Sequence, residues 1–171
     1  KNLLKKYECP ILELTFEESE LTKGFINLYL ASQVTMTNFL NDVAKKFNSR
    51  WFNILEAIQY DKRIGNNGYY KPGLGISGGN IERDIQTLIN ISKKKKLDLN
   101  YPKKIKQLSS NAKNWAYDQI KKKKSEHVLI LGVTYKEDTL SIKNAPQIQL
   151  IKKLLNSNIK FSIHDIRKKD L

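Results

Sequence analysis

The sequence predicts an α-helical domain followed by the beginning of a doubly wound α/β (Rossmann-like) domain. Three observations carry this: apolar periodicities of three and four residues as far as position 122, the compact apolar run HVLILGV at 127–133, and the strand, helix, strand order of the last 45 or so residues.

In residues 20–47, Phe25, Leu28, Met36, Phe39, Leu40, Val43 and Phe47 recur mostly at helical spacings, with no Pro and one Gly. This predicts a long amphipathic helix with one apolar stripe. A second helix begins near Ser49, carries Phe52, Leu55 and Ile58, and stops before RIGNNG, where turn-forming residues gather. Beyond a glycine-rich stretch, IERDIQTLINISKK places Ile81, Ile85, Leu88 and Ile89 on one side of a third helix, and residues 103–122 form a fourth. HVLILGV is almost wholly apolar, as expected of a strand buried on both faces. APQIQLIKKLL is then a helix with Pro146 in its first turn and Ile148, Ile151, Leu154 and Leu155 turned inward. IKFSIHD, 159–165, is the second strand, and the order implies a parallel right-handed crossover.

Composition narrows the function classes. A chain of 171 residues can bury one core, or one small domain plus part of another. The net charge of +14 invites a nucleic-acid reading, but the surplus is nearly all Lys, and Arg, the usual reader of base edges, occurs only at 50, 63, 83 and 167. The KKKK runs at 93–96 and 121–124 are read as solvated helix ends or linkers. A basic nucleic-acid-binding helical module is kept as the alternative that rests on charge alone. Cys9, with only His127 and His164 beside it as soft ligands, gives no disulfide framework and no zinc set, so no metal is expected. Neither a membrane span nor a signal peptide is present in the sequence given, and a cytoplasmic location is the expectation. The absence of an initial Met and the ending KKDL after a strand suggest a piece of a longer protein.

GLGISGGN, 73–80, contains the G-x-G-x-x-G pattern of dinucleotide loops. Such a loop must follow a strand, whereas Pro72 and the turn-rich DKRIGNNGYYK precede this one, so the cofactor reading fails on context. The glycines at 73, 75, 78 and 79 instead let backbone come close to something else.

Three segments in order, ESELTKGFIN (18–27), DKRIGNNGYYKPGLGISGGNIERD (61–84) and LGVTYKEDTLSIKNAP (131–146), resemble signatures of the nucleotide-sugar dehydrogenases, the UDP-glucose and GDP-mannose dehydrogenase family. The resemblance implies a domain plan: 1–17 as the end of a linker from an NAD-binding domain outside this chain, 18–122 as a helical central dimerisation domain, and 126–171 as the start of a nucleotide-sugar-binding α/β domain. It implies a homodimer paired through the helix at 20–47, a UDP-sugar substrate and NAD as cofactor. In that family an alcohol is oxidised to an aldehyde, a Cys captures it as a thiohemiacetal, a second oxidation gives a thioester, and water releases the acid.

By the same resemblance Lys23 is the group that stabilises the developing oxyanion and Asn27 its partner, an i, i+4 pair on one helix face. Asp84 is the base or water-orienting group. Arg63 reaches the substrate across a dimer, Tyr69, Tyr70 and Lys71 meet the base and ribose, Gly75, Gly78 and Gly79 form the close-approach loop, and Lys136 meets a phosphate. Lys143 stands on the cofactor side where an Arg is usual. Smaller departures are Ser77, Glu82 and an extra residue after Arg63.

The main departure is Asn80, which occupies the place of the nucleophilic Cys. Asn cannot form a thioester, although it is among the best N-cap residues and is expected to keep that structural role. The expected outcomes are one oxidation ending at an aldehyde or its hydrate, a slower second step carried by Asp84 and water, or a catalytically inactive nucleotide-sugar-binding or dimerisation protein. Joint retention of Lys23, Asn27 and Asp84 favours an enzyme of altered outcome.

Overall fold

The structure, a computed structural model, describes residues 6–166; the first five residues of the expected linker at 1–17 and the last five of the expected α/β segment at 126–171, including Arg167, lie outside the described residues. The elements are α1 (Phe16–Lys46), α2 (Trp51–Gln59), α3 (Asn80–Lys94), α4 (Asn100–Lys122), β1 (His127–Leu131), α5 (Pro146–Asn156) and β2 (Lys160–His164). The helix-rich first part and the α/β second part agree with the fold class read from the sequence. No described helix is long and apolar enough to cross a membrane, and no group of metal-ligating side chains occurs among the described residues.

The first helix starts four residues earlier than its apolar periodicity suggests, because TFEE is a capping box. Thr15 Oγ1 accepts from the Glu18 N–H at 3.2 Å, and the Thr15 N–H donates to Glu18 Oε2 at 2.8 Å. Pro146 opens α5 as expected, since its missing N–H would have had no helical partner.

Two cores divide the molecule. In the first, Ala31 of α1, Ile85 and Ile89 of α3, Ile105 of α4 and Ile76 of the glycine stretch are buried together, with Leu28, Val34 and Ile81 packed against them. In the second, Ile130, Val133 and Leu154 are covered by Tyr117, Ile120, Ile148, Ile151 and Phe161 among others. α4 therefore supplies Ile105 to one core and Tyr117 and Ile120 to the other, and ties the two together.

The sheet is parallel, with His127 opposite Lys160 and Leu131 opposite His164. Three details depart from expectation. Phe25, Met36, Phe39 and Phe47 of the α1 stripe are exposed, and the face that packs is made of small and polar residues, Asn27, Ala31, Thr35 and Ala44. β1 is not buried on both faces: Leu129 and Leu131 are exposed, because α4 and α5 pack on one side and no described element covers the other. Leu155, expected to face inward, is also exposed, one position past Leu154, which takes the core site.

Candidate active site

The glycine stretch is pinned to the helices around it. Thr37 Oγ1 donates to the Tyr69 carbonyl at 2.7 Å, Trp51 Nε1 to the Tyr70 carbonyl at 2.8 Å, and the Gly73 N–H to Asn38 Oδ1 at 2.8 Å. The Ile76 N–H donates to Ser109 Oγ of α4 at 2.9 Å while the Ile76 side chain enters the first core. Two positions require glycine. Gly75 has φ +82° and a Cβ there would lie 2.6 Å from the Ser109 carbonyl; Gly78 has φ +78° and lies against the Tyr135 ring.

Above this loop is a cavity of about 470 Å³, within the range of small-ligand sites. Lys23, Asn27, Tyr69, Lys71, Gly75, Gly78, Gly79, Asn80 and Lys136 all line it. Residues up to 113 positions apart in sequence, from Lys23 to Lys136, are thus gathered at one place.

Asn27 is buried and its Nδ2 donates to Asp84 Oδ2 at 2.6 Å, joining α1 to the first turns of α3. The other oxygen of Asp84 accepts from Arg83 Nε at 3.0 Å. On the far side of this pair lies a smaller cavity of about 200 Å³, bordered by Glu20, Lys23, Arg83, Asp84 and Thr87. Lys23 borders both spaces. An ammonium at that junction, beside an amide oriented by a carboxylate, is suited to stabilising negative charge on an oxygen.

Asn80 is the first residue of α3 and is exposed to the larger cavity. It is not the N-cap. Gly79, in a right-handed helical conformation, takes that position, and α3 has no side-chain capping bond. The expected capping role is therefore not filled, because the chain turns into the helix one residue earlier.

Arg63 and Tyr70 are not brought to the cavity. Arg63 is exposed after α2, with Nη2 2.6 Å from Asp61 Oδ2. The Arg63 guanidinium holds the Asp61 carboxyl below its ordinary pKa, and the same hydrogen bond raises that of Arg63. The Tyr70 hydroxyl donates to the Ile64 and Gly65 carbonyls, both at 3.0 Å, and so closes the turn before the loop. Lys143 lies over Gly79, where a Cβ would meet its side chain at 2.6 Å.

Sequence reasoning missed Tyr135, Ser109, Lys113 and Asn144, and noted Glu82 only as a departure from the family's pattern. Tyr135 borders the cavity, and its carbonyl accepts from Ser77 Oγ at 3.2 Å; its place beside Lys136 was the available signal. For Ser109 and Lys113, on a polar lysine-rich helix, no local signal exists.

Comparison with known proteins gives the family. The model of the UDP-glucose/GDP-mannose dehydrogenase family, central domain, matches residues 17–111, and that of the family's UDP binding domain matches 129–170. The chain is 28 % identical over 168 residues to a GDP-mannose 6-dehydrogenase of Azotobacter vinelandii, covering 96 % of this chain and 38 % of that protein. It is 27 % identical over 172 residues to a UDP-glucose 6-dehydrogenase of Rickettsia prowazekii, covering 92 % and 39 % respectively. The chain therefore spans less than two fifths of the curated relatives it matches. In fold it is similar to a UDP-glucose dehydrogenase from Pyrobaculum islandicum, with a TM-score of 0.87 at 24 % identity, over 96 % of this chain and 39 % of that one.

Proposed function

The chain belongs to the UDP-glucose/GDP-mannose dehydrogenase family, and from that premise we propose that it serves the NAD-dependent oxidation of a UDP-sugar at a primary alcohol, ending after one oxidation. The observation that carries this reading is the convergence of Lys23, Asn27, Lys136 and Asn80 on one glycine-floored cavity, with Asp84 bonded behind Asn27.

The sugar hydroxyl stands at Lys23 and Asn27. As its C–H hydride leaves and its hydroxyl proton passes to water, Lys23 stabilises the charge that develops on the oxygen, and Asp84 holds the Asn27 amide in the orientation that accepts or donates there. Bound NAD would supply the hydride acceptor. The residues described here fit only its reactive end: the space beside Lys23, Arg83 and Asp84 is about 200 Å³, and the G-x-G-x-x-G follows a loop rather than a strand. Lys143 lies over Gly79, outside the lining of that space, while the dinucleotide's own binding domain is assigned to sequence outside this chain.

Lys136 meets the diphosphate as a flexible point charge, and Tyr69 and Lys71 meet the nucleoside. At position 80 an amide stands in place of a thiol, so no carbon–sulfur bond retains the aldehyde, which leaves as such or as its hydrate. The exposed α1 stripe is the surface through which two copies pair, and Arg63 acts from the partner copy.

Replacing Lys23 by Met in the natural full-length protein should lower kcat by about 10²- to 10³-fold, the usual loss for one oxyanion donor, with KM for the UDP-sugar changed little. Steady-state NADH formation measures both. A variant within twofold of the parent would remove Lys23 from the reaction.

A further inference from the structure

On α4, Lys113 has a side chain only 4 % exposed, although this basic chain keeps most of its lysines in water. A cation withdrawn from water requires partners, and those of Lys113 come from two directions. Its Nζ donates to Glu82 Oε1 at 2.5 Å, in the first turn of α3, and to Asn144 Oδ1 at 2.9 Å, in the loop leading into α5. Asn144 passes the contact on: its Nδ2 donates to the Gly78 carbonyl at 2.8 Å, while its Oδ1 also accepts from Gln149 Nε2 at 3.2 Å. The backbone of Asn144 is left-handed, φ 53°, a conformation Asn tolerates better than most residues.

Gly78 and Glu82 lie two residues before and two residues after Asn80. Lys113 therefore holds both ends of the short segment that carries Asn80, one directly and one through Asn144. The same bonds attach that segment to the loop bearing Tyr135, Lys136 and Lys143. Stability alone is a weak reason for such an arrangement, because a buried ion pair contributes little more than an apolar replacement of the same shape. Fixed geometry is what a branched, hydrogen-bonded cation does supply.

We propose that Lys113 is a positioning residue for the reaction centre: through Glu82 and Asn144 it fixes Asn80 and the start of α3 against the loop that carries Lys136. This rests on reading the cavity as the place of sugar oxidation.

The test uses the natural full-length protein with Lys113→Met and, separately, Asn144→Ala, whose site lies in a loop outside both cores. Turnover of UDP-glucose with NAD, thermal melting, and amide hydrogen exchange across residues 76–84 are measured. Both variants should lose about 10- to 100-fold in kcat with KM within about threefold, the effect of small misplacement at a reacting centre. Exchange should quicken selectively across 76–84, with α1 and β1 unchanged. Parental kcat with unchanged exchange overturns the proposal, as does a loss of kcat that merely follows a general fall in melting temperature. If Lys113→Met does not fold, Asn144→Ala decides by the same criteria. If the parent forms no NADH from any nucleotide sugar, the reading of the reaction fails, and exchange alone decides Lys113: a selective rise sustains positioning and its absence overturns it.

Discussion

On the proposed function, the chemistry at position 80 turns on a sulfur that Asn cannot supply. A Cys at the first residue of a helix gains thiolate character from the unpaired N–H groups and dipole of that end, and Asn80 occupies such a place on α3. Asn80→Cys in the natural full-length protein should therefore gain a second oxidation, seen as a covalent sugar adduct by mass spectrometry and more NADH per sugar consumed. Neither change would mean that the loop is not shaped for a thioester. The residues of the cavity were legible to different degrees for physical reasons. Lys23, Asn27 and Asp84 lie in short segments that resemble the family's motifs, and were found through that resemblance. Lys113 could not be found that way, because its partners are 31 residues away on either side and nothing nearby distinguishes it from the solvated lysines of α4.

Among the elements, α3 could be read from periodicity because its apolar side, Ile85, Leu88 and Ile89, packs within the chain. The same reasoning gave the existence and end of α1 but not its start or its whole buried face: Phe25, Met36 and Phe39 stand outside, and Ala31, Thr35 and Ala44 pack inside with Leu28 and Val34 beside them. Phe25, Tyr29, Met36, Phe39 and Val43 fall at intervals of four, seven, three and four, a seam fit for a second helix. Phe39→Asp should convert a dimer to a monomer in light scattering, and an unchanged mass would place the pairing elsewhere. The ends of α1, α3, α4 and α5 were legible to within one residue, but the turns that close them were not, since Lys or Asn occurs where Gly is usual. Asn48, Lys96, Lys124 and Asn158 all have left-handed φ, and the residue after each closes the turn, as in Leu97 N–H to Ser92 carbonyl at 2.9 Å. Lysine is strained in that conformation, so Lys124→Gly should raise unfolding free energy by about 0.5–1 kcal/mol. Urea denaturation would show a higher midpoint at unchanged slope; a lower one would contradict the assigned turn.

For the whole molecule, α4 decides how the two parts cooperate. Its first half is in the core under the glycine loop and its second half in the core under the sheet, so the Lys136 loop and the Asn80 helix share one rigid support. The fold class was legible because each part has its own periodicity. Their joining was not, because it depends on Ser109, Lys113 and Tyr117, whose identities carry meaning only once both cores exist. On the proposed function, the cavity holds the groups for oxidising an alcohol and, with Asn80 in place of a thiol, stops at the aldehyde. Counting NADH formed per UDP-sugar consumed by the natural full-length protein tests it most directly. One NADH, with an aldehyde or its hydrate as product, is the predicted result; two, with a sugar acid as product, would contradict it.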